Sequence, residues 1–136
     1  MPHLHWVCAF CADPDPRRLV FLVAAPFAAR LLQDVGQCPR IALTIEHIGP
    51  HETYQFKGDF AGSHEPTPAE RAAFEGCRAR FVRDVQEIET RFHFPAETLE
   101  RYLGGPALSV LLRVDEIFRQ TPGPGAGRRL VPPEEP

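Results

Sequence analysis

The sequence predicts a mainly β chain with helices, an α+β fold built on antiparallel strands, and three observations lead there. Five short apolar runs bounded by Pro, Gly and Asp read as strands, and the first two lie close enough to form a hairpin. Helical spacing appears only between the second and third runs and again, twice, before the last. That order does not alternate regularly enough for a doubly wound parallel sheet, so an antiparallel barrel or sandwich is expected.

Leu4 to Ala12 (LHWVCAFCA) is an apolar run ended by Asp13-Pro14-Asp15-Pro16, whose residues favour a turn, and it reads as a buried strand. Leu19 to Val23 (LVFLV) follows as its hairpin partner. Pro26 suits the first turn of a helix, where an N–H has no partner to lose, and Phe27, Leu31, Leu32 and Val35 recur at helical spacing up to Gly36. Ile41 to Ile45 is the third strand and Thr53 to Phe60 the fourth, separated by the polar loop Gly49-Pro50-His51-Glu52.

Thr67-Pro68-Ala69-Glu70 has the pattern of a capping box, with Thr as cap, Pro at the first helical position and Glu at the third. The helix it starts should run to about Arg91, with Phe74, Phe81, Val85 and Ile88 as its apolar stripe. A shorter helix, Ala96 to Leu103, should stop at Gly104-Gly105, and Leu108 to Val114 is the last strand. Residues 1–118 form one domain on this reading. Residues 119–136 form a Pro/Gly-rich arm that is ordered only where it docks.

The chain has 136 residues, 43% hydrophobic and 24% charged, which suits one compact domain. Its net charge of −3 provides no positive field for nucleic acid or an anionic membrane surface. No segment reaches the roughly 18 to 20 apolar residues of a membrane span, and the first residues do not read as a secretory leader. A cytoplasmic protein with reduced thiols at Cys8, Cys11, Cys38 and Cys77 is expected.

Cys8 and Cys11 have the spacing of a metal knuckle, but residues three apart on a strand point to opposite faces, and no second pair completes four ligands even with His3 and His5. No metal site is therefore expected. Gln55 and Lys57 share one face of a strand, either as plain solvent-facing residues or as a polar pair beside a site. Trp6 reads as a core aromatic or a ring-stacking one, and His47 and His51 have no nucleophile or carboxylate beside them in sequence. Gly123-x-Gly125-x-Gly127 imitates a phosphate loop without the strand and helix that such a loop joins.

Taken together, Leu19-Val20-Phe21-Leu22-Val23, a short helix carrying Arg30, Cys38-Pro39-Arg40-Ile41-Ala42-Leu43-Thr44 and Thr53-Tyr54-Gln55-Phe56-Lys57-Gly58 resemble the core of the pyridoxamine 5'-phosphate oxidase-like split barrels. The segment from Phe118 to Arg128 resembles the ending of an uncharacterised branch of that group. The resemblance implies an antiparallel split β-barrel that pairs as a homodimer and holds FMN in a groove made by both subunits. It implies an oxidoreductase acting on a small-molecule substrate, with no catalytic residue that can be named.

Position by position, Arg30 matches an arginine that contacts the flavin phosphate, Gln55 a glutamine near the flavin ring, and His5 to Phe10, with Trp6, the strand lining the cofactor; Lys57 shares Gln55's face. A guanidinium fork suits a dianionic phosphate, and amide groups suit a ring edge; from the residues alone Arg30 reads equally as a solvated helix residue or as the partner of Asp34 at i+4. Where relatives carry Ser-Arg-Lys, this chain has Ala28-Ala29-Arg30-Leu31. Relatives also carry a helix and a strand ahead of the segment matching Pro2 to His5, so a barrel short of its first strand is one expectation. The alternative function is a cofactor-poor dimeric barrel that binds without catalysis.

Overall fold

The computed structural model of the chain describes residues 3–88 and 93–130. Among these residues six antiparallel strands make one curled sheet, an open half-barrel, with three helices against it. The strands are β1 (Ala9–Ala12), β2 (Arg18–Ala24), β3 (Arg40–His47), β4 (Glu52–His64), β5 (Pro106–Arg119) and β6 (Arg128–Leu130). The helices are α1 (Ala25–Gln37), α2 (Pro68–Ile88) and α3 (Ala96–Leu103). The order across the sheet is β1-β2-β5-β4-β3, with β6 added to the far end of β5.

β1 and β2 form the expected hairpin, with Phe10 opposite Phe21. The strand is shorter than the apolar run suggests: residues 3–8 carry no regular structure, although the Cys8 N–H still donates to the Leu22 carbonyl at 2.9 Å. β2 is apolar on both faces because the sheet is covered on both sides there. Phe21 and Val23 join Leu31 of α1, Leu43, Val110 and Leu112 in one core. Val20 and Leu22 face the other way, onto Cys8, Ala9 and Phe74 of α2.

The curl has a local cause. β4 and β5 are long, and their register slips twice, between Lys57 and Gly58 and between Phe60 and Gly62. Bulges of this kind bend a strand and raise its twist. At Gly58 the chains approach so closely that a Cβ would sit 1.9 Å from the Arg113 carbonyl oxygen, so only glycine fits.

The capping box forms as its spacing dictates: the Glu70 N–H donates to Thr67 Oγ1 (3.2 Å) and the Thr67 N–H donates to Glu70 Oε2 (2.9 Å). Along α2 the buried residues are Phe74 and Val82, while Ile88, assigned to the stripe from sequence, is exposed. The end of this helix expected near Arg91 lies outside the described residues. α3 packs on α2 through Tyr102, which stacks on Phe81 at 6.2 Å.

The chain beyond Phe118 does not leave the domain as a separate arm at once. β5 continues to Arg119, and after a glycine-rich turn Arg128 to Leu130 pair back onto it. The docking the sequence required for order is thus made on the chain's own sheet, as far as Leu130. Among the described residues no helix is long and apolar enough to cross a membrane.

Candidate functional site

The five residues put forward from sequence fall into two groups. The first lies where the N-terminal segment crosses α1. Asp34 takes His3 Nδ1 at 2.9 Å on one oxygen and His5 Nε2 at 2.8 Å on the other, and Arg30 Nε donates to it at 3.0 Å. The Arg30 Nη2 also lies 2.9 Å from His3 Nε2. Desolvation works to raise the Asp34 pKa, but the hydrogen bonds from His5, His3 and Arg30 outweigh it and hold the carboxyl below its ordinary range.

The i,i+4 pairing of Arg30 with Asp34 was legible in sequence; its closure by two histidines some thirty residues away was not. Arg30 is the sixth residue of α1, away from the free amides of the helix start, and one edge of its guanidinium is already engaged. A phosphate approaching it would meet the Asp34 carboxylate as well.

Trp6 is next to this group and is not a core residue. It is 62% exposed and meets Tyr102 edge-on at 5.9 Å. With Val7, Cys8, Ala24, Phe27 and Tyr102 it lines an apolar pocket of about 240 Å³. That is below the roughly 300 to 1,000 Å³ usual for organic ligand sites. A wider and more open groove of about 650 Å³ runs between α2 and α3, lined by Phe74, Arg78, Glu97 and Arg101 among others.

The second group lies on β4. Phe56 packs on the first core, so its neighbours Gln55 and Lys57 project from the opposite face of the sheet. The Gln55 amide donates to Thr44 Oγ1 at 3.4 Å, and Lys57 Nζ sits 4.7 Å from the centre of the Phe118 ring. Thr44, Gln55, Phe118 and Arg129 form one cross-strand row, and Lys57 stands opposite Glu116 in the next. Neither of these two cavities brings this row together with Arg30, His5 and Trp6.

A polar network that sequence reasoning did not assemble sits at the start of α2. Ser109, fully buried, donates its hydroxyl to Glu70 Oε2 at 2.5 Å, and His64 Nε2 lies 2.9 Å from Glu70 Oε1. Burial pushes the Glu70 carboxyl up, but the hydrogen bonds from Ser109, the Thr67 amide and His64, together with the His64 charge, bring it below its ordinary value. Serine and histidine each contact the acid rather than each other, so the group ties elements together and does not activate a nucleophile. Only the Thr67–Glu70 spacing announced it; Ser109 is 39 residues away.

Cys8 lies before β1, so strand alternation does not separate it from Cys11, and both pack with Cys77 against the core around Phe74. Burial first, with the nearby Cys77 adding to it, pushes the Cys8 thiol up to about 11, which leaves it an inert thiol. His47 lies 3.8 Å from Asp84 and His51 3.6 Å from Glu46, both in exposed positions. Among the described residues no group of three or more His, Cys, Asp or Glu is placed to hold a metal ion.

Fold and site together define an α+β protein with an open antiparallel half-barrel, two apolar cores and no assembled acid–base or nucleophilic centre among the described residues. No protein-family model, curated protein or solved structure matches the chain.

Proposed function

We propose that the chain is a split-barrel protein of the pyridoxamine 5'-phosphate oxidase-like group, one half of a homodimer that binds FMN in the groove between copies and works as an oxidoreductase when loaded. The observation that carries this reading is the open, curled sheet. Phe27, Ile41, Ile45, Phe56 and Phe60 flank the first core yet stay only half-buried, and β3 ends the sheet with no strand beyond it among the described residues. A second copy would cover such a surface. FMN would supply the redox chemistry, and the protein would supply orientation and a dry groove.

A second reading is favoured by the cluster around Arg30. With Asp34 and His3 already on that guanidinium, a flavin phosphate would have to compete there with the chain's own side chains. On this reading the protein is a cofactor-poor dimeric barrel that binds without catalysis.

The absorption spectrum of the purified chain, before and after FMN is added and removed by gel filtration, separates the two when combined with a light-scattering mass. Retained flavin bands on a dimer support the first. A colourless dimer that does not hold FMN leaves the second, and a monomer without flavin refutes both. If the first holds, Arg30→Ala should weaken FMN retention by about 1.5 to 3 kcal/mol, the worth of a charge-assisted contact.

A further inference from the structure

Six arginines lie on the strands, and four of them have an acidic partner. Arg18 pairs with Asp13, Arg40 with Asp115 and Glu116, Arg113 with Asp59, and Arg129 with Glu116. The other two, Arg119 and Arg128, make no side-chain hydrogen bond or ion pair among the described residues, and they stand directly opposite each other across β5 and β6. Residues so paired project from the same face with their Cβ atoms about 4.5 to 5.5 Å apart, and like charges in that position destabilise the pair.

The backbone holds this juxtaposition in place. The Gly127 N–H donates to the Arg119 carbonyl at 2.7 Å, the Arg128 N–H to the Gly125 carbonyl at 3.1 Å, and the Gln120 N–H to the Thr53 carbonyl at 2.7 Å. The turn between the two arginines needs left-handed backbone at Gly123, Gly125 and Gly127 (φ 118, 91 and 81°), which glycine adopts at little cost. The glycine-rich segment that looked like a phosphate loop in sequence thus serves to bring Arg128 back beside Arg119.

A third polar group completes the row. Tyr54 is the register partner of Arg119 and of Ile45, so its ring shares the face of the two guanidinium groups, and its hydroxyl has no partner among the described residues. Phe56, two residues on along β4, offers an apolar wall on the same face. Glu52, two residues before Tyr54, forms an ion pair with neither arginine.

We infer that Arg119, Arg128 and Tyr54 form a binding site for a tetrahedral oxyanion, a phosphate or sulfate group carried by a small organic ligand. Two planar guanidinium forks supply charge and paired N–H donors to a dianion, the phenol adds one further donor, and the ligand's organic part lies toward Phe56. The site involves neither Arg30 nor a flavin, so it stands or falls separately from the function proposed above.

The test is a thermal melt and a calorimetric titration of the full chain, without added flavin, in phosphate-free buffer at fixed ionic strength. The probes are inorganic phosphate, sulfate, phenyl phosphate and, as control, chloride. Phosphate and sulfate should raise the melting temperature where chloride does not, and phenyl phosphate should bind more tightly than inorganic phosphate. Arg119→Gln and Arg128→Gln should each weaken binding by at least about tenfold, while Arg129→Gln on the opposite face should retain it.

In phosphate-free buffer the Arg128→Gln chain should melt no lower than the parent, because a repulsion has been removed. That result also shows the variant is folded when its phosphate response is lost. Equal stabilisation by chloride, or a phosphate response that survives both substitutions, overturns the site. Phenyl phosphate binding no tighter than inorganic phosphate overturns the organic ligand.

Discussion

Replacing Glu70 with Ala removes a side chain that ties α2, β4 and β5 together. Its carboxylate accepts from the Thr67 amide (2.9 Å), from Ser109 (2.5 Å) and from His64 (2.9 Å). Losing one capping interaction costs about 1 kcal/mol. Stranding the hydroxyl of fully buried Ser109 without an acceptor costs about 1 to 3 kcal/mol more. A total near 3 kcal/mol lowers the melting temperature of a chain this size by about 10 °C, read by far-ultraviolet circular dichroism.

Adding Ser109→Ala should then return about 1 to 2 kcal/mol, since no donor is left unpaired; the two substitutions are therefore far from additive. A Glu70→Ala chain that melts within about 2 °C of the parent, or a double variant as unstable as the sum of the singles, would refute the reasoning. The same carboxyl gives a pH signature. Its pKa is lower folded than unfolded, so its stabilisation is complete above the unfolded value of 4.5 and is lost as the pH falls through the folded one. Glu70→Gln should flatten that acid limb of the stability curve.

Other outcomes follow from single contacts. Gly58→Ala drives a Cβ into the Arg113 carbonyl, a backbone atom that cannot swing aside, and should cost about 3 kcal/mol or more, measured by urea denaturation. A thiol reagent should modify exposed Cys38 first and Cys8 last, because Cys8 is buried and titrates near 11; mass mapping of the labelled chain gives the order. Tyr102→Ala removes both the stack on Phe81 and the edge contact on Trp6, and should shift the emission of the single tryptophan while costing about 1 to 2 kcal/mol.

Much of the fold was legible because short-range rules decide it. The β1–β2 hairpin, the Pro26 helix, the Thr67 cap and the stop at Gly104-Gly105 all depend on residues within a few positions of one another. Strand ends were not legible. Ser63, Asp115 and Glu116 are polar residues on β4 and β5 that the ladder carries beyond the expected runs, and the two register slips reset which residues face the core. β6 was missed because Arg128-Arg129-Leu130 has little apolar character and owes its place to a turn built on glycines. The site divides the same way: Arg30 with Asp34 could be read from spacing, whereas His3, His5 and Ser109 reach their partners only once the sheet has formed.

β3 ends the sheet with Ile41-Ala42-Leu43-Thr44-Ile45, five uncharged residues in a row, and among the described residues has no strand on its outer side. No proline or lysine interrupts them to discourage another chain. The backbone N–H and C=O groups along that rim are therefore of the kind an extended segment arriving in register could pair with. If two copies pair along that rim, the melting temperature carries a concentration with it, and dilution should lower it.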